Sequence, residues 1–166
     1  KKYGYITETG EFIIKAQYSY ASDFNNGVAI VSINEKFVMI DMQGDILFSS
    51  DNGISDYKNG AAIFSSIKGD NLLYGYVEDT GKVIIEPQFE NAYEFNEKGK
   101  AYVKLTDGNY ALINRKGEIL ISYNFNEKYS NIYQMVDDYA IYYDSNSGKY
   151  GVDNLVSGDV IYEPIY

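Results

Sequence analysis

The stretches Lys2 to Tyr18 (KYGYITETGEFIIKAQY) and Leu73 to Phe89 (LYGYVEDTGKVIIEPQF) are nearly the same text, seventy-one positions apart. Self-similarity at a fixed period constrains a fold more than any other sequence feature, because each copy must adopt the same structure and meet its neighbours in the same way. Further copies are weaker but in step. An aromatic opens each one, at Tyr3, Phe37, Tyr74, Tyr110 and Tyr150, at spacings of 34, 37, 36 and 40 residues. A small or apolar residue follows: Gly4, Val38, Gly75, Ala111, Gly151. A glycine comes seven residues after the aromatic at Gly10, Gly44, Gly81 and Gly117, and eight after it at Gly158. An aliphatic sits three residues beyond that glycine, at Ile13, Leu47, Ile84, Leu120 and Ile161. A second block, GVAIV in its first form, is aligned on Ala29, Ala62, Ala101 and Ala140. The units run 2–35, 36–72, 73–108 and 109–148, with a partial unit at 149–166.

Each unit reads as three short strands. Tyr3 to Ile6 alternates aromatic and small residues, Thr7 to Glu11 carries the glycine of a tight hairpin, and Phe12 to Ile14 is a β-branched and aromatic run. GVAIVS is the third strand, and a short polar turn leads from it into the next copy. Helices need apolar residues at i, i+3 and i+4 over ten or more positions, and the apolar runs here last four to six. A single helical turn is expected at most over Tyr18 to Phe24 and Phe89 to Phe95. The glycine after the leading Tyr is expected to clear space for an aromatic lying flat on the backbone. A unit of about 36 residues is too small to bury its own apolar face, since ordering costs on the order of 1–2 kcal/mol per residue. The expected fold is therefore all-β, with antiparallel meanders stacked into a curved or superhelical array; a closed propeller-like ring is the alternative.

The pattern resembles the WG-containing repeat family, with Tyr or Phe in place of the leading Trp. It is clearest at Tyr74, Gly75, Tyr76, Val77, Gly81, Ile84, Ile85, Pro87, Phe89, Ala92, Phe95, Gly99, Ala101 and Val103. The resemblance implies an all-β repeat module, a binding or scaffolding role, and no catalytic residue to carry over.

The residue inventory narrows chemistry further. The chain has neither His nor Cys, which removes the commonest general base, the thiol nucleophile and most transition-metal sites. No enzyme activity, cofactor or metal is expected. The pairs Glu78–Asp79 and Asp137–Asp138 sit in predicted turns, where acids serve as loop residues. Asp144 and Asn146 have the alternate spacing of a calcium loop, but Lys149 stands at its sixth position and Leu155 at its twelfth, so a hairpin turn is the better reading. With 24 acidic against 14 basic residues and a net charge of −10, nucleic acid and anionic membranes are poor partners. No apolar run reaches the 18–20 residues of a membrane helix, and no membrane insertion is expected. Beginning at Lys1 and ending at Tyr166, the chain reads as a piece of a longer polypeptide.

Six tyrosines crowd the fourth unit: Tyr123, Tyr129, Tyr133, Tyr139, Tyr142 and Tyr143. Rigid amphipathic tyrosines grip partners and sugars, so these are the candidate binding residues, against the alternative that they pack a longer unit. Three functions follow. The first is a non-catalytic module for protein interaction or scaffolding, leaning to a bacterial exported or cell-surface setting. The second is a carbohydrate or cell-wall binding module, and the third an enzyme using carboxylates.

Overall fold

The computed structural model describes residues 1–123, 131–136, 139–144, 147–154 and 160–162. Every regular element among them is a β-strand. The first sheet pairs β1 (Tyr3–Ile6) with β2 (Phe12–Tyr18). The second runs β3 (Tyr20–Ala21), β4 (Val28–Ile33), β5 (Lys36–Asp41) and β6 (Ile46–Ser50). The third contains β7 (Ala62–Lys68), β8 (Asn71–Val77) and β9 (Val83–Phe89), and the fourth β10 (Asn91–Ala92), β11 (Lys100–Lys104), β12 (Tyr110–Asn114) and β13 (Ile119–Tyr123). The fifth is β14 (Asn131–Val136), β15 (Tyr139–Asp144), β16 (Lys149–Asn154) and β17 (Val160–Tyr162). All pairings are antiparallel between chain neighbours, so the sheets are separate meanders rather than one closed barrel.

The sheets straddle the sequence units. The second block of one unit pairs with the aromatic strand of the next, as β4 with β5 and β11 with β12. The expected helical turns over 18–24 and 89–95 do not form. Those segments hold the two-residue strands β3 and β10, because their backbone groups find better partners across the sheet: Ser22 N–H donates to Ile30 O at 2.9 Å and Tyr93 N–H to Tyr102 O at 3.0 Å. The first and third units thus each hold a short strand that the three-strand reading missed.

Hairpin geometry follows the turn residues. In the 7–11 turn, Thr7 N–H donates to Glu11 O at 2.8 Å and Gly10 N–H to Thr7 O at 3.0 Å, with Gly10 at φ 86°. The same bonds recur at 41–45, 78–82 and 114–118. This is a three-residue hairpin closed by a residue in the left-handed region, which glycine enters without the Cβ clash that other residues suffer.

The core lies between sheets. Along β4, Val28 and Ile30 join Met39, Tyr57, Ala62, Phe64 and Val77 on one side, while Ala29 and Val31 join Ile14, Tyr18, Val38 and Ile40 on the other. A strand buried on both faces reads as a continuous apolar run, which explains why the second block does not alternate. A third cluster, including Tyr76, Ile85, Phe89, Phe95 and Val103, joins the third and fourth sheets. Tyr102, Leu112 and Ala140 join the fourth and fifth. No sheet owns a complete core, so stacking is what makes each one stable.

Candidate interaction surface

The units impose one geometry repeatedly. Tyr5 packs on Phe24 with ring centroids 4.5 Å apart and on Tyr18 at 6.3 Å; Tyr76 packs on Phe95 at 4.6 Å and on Phe89 at 6.5 Å. The central hydroxyl donates to a carbonyl seventeen residues on in both cases, from Tyr5 to Ser22 O at 2.9 Å and from Tyr76 to Tyr93 O at 2.8 Å. Burial pushes both phenols up, Tyr5 to about 12. Each triad pins the start of the following segment.

That anchoring brings a set of equivalent side chains to the surface. Asp23, Asp56 and Glu94 occupy the same position, one residue before Phe24, Tyr57 and Phe95, and all three are exposed. Neighbouring sheets are bridged there. Tyr20 Oη donates to Asp56 Oδ1 at 3.1 Å, and thirty-eight residues after Tyr20, Lys58 Nζ meets Glu94 Oε1 at 2.9 Å. The Tyr20 phenol is raised by burial and by Asp56, and the Lys58 ammonium is raised by its bond to Glu94. Between the second and third sheets lies an open groove of about 430 Å³, lined by Tyr20, Ser22, Asp23, Asn25, Asp56 and Tyr57 among others. Two acids and two tyrosines line it together with Lys58, whose ammonium is paired with Glu94, so the groove suits a cationic or hydrogen-bonding partner more than an anion. Sequence reading missed this site. The signal was present in the spacing of Asp23, Asp56 and Glu94, but acids between strands look like ordinary loop residues until the sheets are stacked.

The tyrosines singled out in the fourth unit separate. Tyr139 is 42% exposed, whereas Tyr142 is 1% exposed and lies over Gly151 of its own sheet; burial assigns Tyr142 to packing rather than to an open patch. Tyr143 is half-buried and lies against Tyr150, with ring centroids 5.2 Å apart. Tyr123 and Tyr133 fall in β13 and β14, but their side chains lie outside the described residues, as do Tyr129 and Gly158 altogether. Asp137, Asp138, Asn146 and Leu155 lie outside them too. Glu78 and Asp79 are turn residues: Thr80 Oγ1 donates to Glu78 at 2.9 Å, and Asn26 Nδ2 to Asp79 at 2.6 Å. Asp144 caps the β15–β16 hairpin, accepting from Ser147 Oγ at 2.6 Å. Among the described residues no group of three or more acidic side chains is placed to hold a metal, and no helix is long and apolar enough to cross a membrane.

The leading glycines have two distinct roles. Tyr3 pairs with Tyr18 and Tyr5 with Ile14, so Lys15, Ala16 and Gln17 all bulge against Gly4. Tyr74 pairs with Phe89 and Tyr76 with Ile85, so Glu86, Pro87 and Gln88 bulge against Gly75. A Cβ on Gly4 would lie 2.5 Å from Ile14 O, and one on Gly75 would lie 2.7 Å from Pro87 N. Backbone approach, not an aromatic ring, excludes a side chain at these two. At Gly151 the expected aromatic is present, with a Cβ falling 2.5 Å from Tyr142 Oη. Val38 and Ala111 face unbulged partners, pairing in plain register with Ser49 and Ser122.

Such an architecture defines a tandem antiparallel β-repeat protein. The WG containing repeat matches residues 3–37 and 74–110, so the chain carries that repeat in its first and third units, the two with a glycine facing a bulge. No curated protein sequence matches the chain. Among solved structures, BamB from Moraxella catarrhalis is similar with 12% identity over 82% of this chain and 45% of that one, at a TM-score of 0.49. The WD40 beta propeller domain of Doa1 is similar with 16% identity over 90% of this chain and 54% of its own, at 0.46. AztD from Citrobacter koseri follows with 15% identity over 94% and 62%, at 0.42. The chain spans less than two thirds of the length of each.

Proposed function

We propose that the chain is a non-catalytic interaction module that binds a protein partner along the acidic, tyrosine-lined face formed where neighbouring sheets meet. The observation that carries this reading is the recurrence of exposed acids at one position of successive sheets, Asp23 and Asp56 lining the groove and Glu94 one sheet further on, where it is paired with Lys58. A partner with basic side chains at a matching spacing gains from each site in turn, and several weak contacts in register give useful affinity. The absence of His and Cys from the sequence supports a binding role over a catalytic one.

The test is binding to a panel of Lys- and Arg-rich peptides and proteins, comparing the natural chain with the triple variant Asp23→Asn, Asp56→Asn, Glu94→Gln. The expected result is salt-sensitive binding that falls at least tenfold in the variant while its melting temperature moves by only a few degrees, because the three carboxylates are exposed and add little to stability. Equal binding by both proteins overturns the reading. Carbohydrate binding is the second reading, favoured by the exposed Tyr139 and Tyr150, which are 42% and 43% accessible. A glycan array with quenching of tyrosine fluorescence distinguishes it.

A further inference from the structure

The face where neighbouring sheets meet departs from its own pattern at one step. Tyr20 stands opposite Ser32 in the second sheet; its ring lies on Phe37 with centroids 6.1 Å apart, and its hydroxyl donates to Asp56 Oδ1 at 3.1 Å. One unit on, each of these positions recurs. Gly53 faces Ser65, whose N–H donates to Gly53 O at 3.2 Å. Tyr74, the next leading aromatic, stands where Phe37 stands, and Glu94 stands where Asp56 does. In the unit after that, Asn91 faces Lys104. Of Tyr20, Gly53 and Asn91, Gly53 alone has no side chain.

The space over that glycine is open. A Cβ on Gly53 would meet nothing closer than Ser65 Oγ at 3.8 Å, and a groove of about 350 Å³ lies there, lined by Ile54, Ser65, Leu72, Tyr74 and Ala92 among others. Ile63 and Ala92 also line an adjoining groove of about 460 Å³, whose wall includes Glu94. The β7–β8 hairpin adds a wall by being longer than its counterpart. Its pairing runs on through Ile67–Leu72 and Lys68–Asn71, whereas β4–β5 stops at Ile33–Lys36, the equivalent of Ser66–Leu73. Leu72, brought in by that extension, is 43% exposed beside the groove. Both departures lie inside the array, where the units on either side are already in place.

We infer that this groove receives the phenol ring of a tyrosine presented by the protein partner, seated as Tyr20 is seated one sheet earlier. The inference rests on the acidic face being a protein-binding surface and adds the side chain that the partner inserts. The chain itself displays the occupant, because Tyr20 fits a phenol between the leading aromatic and the acid of the next unit. In the groove the inserted ring lies on Tyr74 and against Leu72, and its hydroxyl donates to the Glu94 carboxylate. Lys58 already holds Oε1 of that carboxylate at 2.9 Å. An ionised carboxylate accepts about four hydrogen bonds, so the ion pair stays while the hydroxyl binds. A rigid ring with a polar end gives large contact area at low entropy cost, which suits tyrosine as an interface anchor.

The probe is N-acetyl-tyrosinamide, titrated into the isotope-labelled chain and followed by amide NMR, with the phenylalanine and serine analogues as comparisons. Saturable shifts are expected at the amides of Gly53, Ser65 and Tyr74. The phenylalanine analogue should bind about tenfold more weakly for want of the hydroxyl, and the serine analogue should leave these amides unmoved. Glu94→Ala is expected to abolish the preference for tyrosine over phenylalanine, and Leu72→Ser to weaken both. Shifts that do not saturate, or that the serine analogue reproduces, overturn the proposal. Self-association in sedimentation that Leu72→Ser abolishes also overturns it, by making a second copy the occupant. The two readings fail separately: basic-peptide binding unchanged in the triple acidic variant overturns the charged face and leaves these shifts as they are.

Discussion

At the scale of single residues, the positions that matter most are those where one atom more or less is excluded. Gly75→Ala places a Cβ against the bulged backbone at 86–87, which cannot retreat as a flexible side chain would. Overpacking of this kind costs about 1–3 kcal/mol, and urea unfolding of the variant is expected to register a loss in that range. Val38→Ala, at the equivalent position facing an unbulged strand, is expected to lose stability through a cavity instead, and Val38→Gly more so. Tyr5 and Tyr76 set the alkaline limit. Each phenol is raised above its ordinary value by burial, so the folded state holds the proton after the unfolded chain has released it. That stabilisation is complete below the unfolded value of 10.0 and is lost as pH rises through the folded value, about 12 for Tyr5. The melting temperature should be flat up to about pH 10 and fall above it, with Tyr76→Phe shallower in its descent.

At the scale of elements, one hairpin type is used again and again as a clasp. Its glycine or the residue two before it lands on the previous sheet: Gly81 would put a Cβ 2.7 Å from Leu47 C, and Arg115 lies over the Phe95 ring at 5.0 Å while bonding Gly60 O at 3.1 Å. Arg115→Ala removes the clasp between the third and fourth sheets. Exposed cation–π contacts are worth about 0.5–1 kcal/mol, and the variant should lose roughly that in a denaturant titration. Arg115→Lys should restore little of it, because a point charge cannot reach two carbonyls and lie flat on a ring together.

At the scale of the whole molecule, stability is shared between neighbours. A chain cut after Phe89 would keep three sheets but strip Phe95, Ala101 and Val103 from the apolar face that holds Tyr76, Ile85 and Phe89. Calorimetry of that fragment should give a lower and broader transition than the full chain. An unchanged melting temperature would mean that the sheets are independent, contrary to the shared core.

Much of this was legible in the sequence. Gly10, Gly44, Gly81 and Gly117 marked the hairpins because their backbone conformation is a local property, and the aromatic and β-branched runs marked the strands for the same reason. What local signals hid were contacts whose energy comes from distant segments. Residues 18–24 and 89–95 hold a helical spacing of aromatics, yet a sheet edge captures their backbone. Tyr142 reads like Tyr139 in the sequence, and only the tertiary structure, which lays the Tyr142 ring over Gly151, separates a buried ring from an exposed one. Asp23, Asp56 and Glu94 read as three loop acids.

From its residues alone the chain is committed to repeating antiparallel hairpins, because turn chemistry and strand preference act over a few positions and recur with the period. Which residues the repeats bury, where acids from separate units line up, and why a glycine faces a bulge in two units and not in others were decided by stacking. Each of those depends on surfaces meeting from segments thirty or more residues apart, and no short window of sequence holds both sides of such a contact.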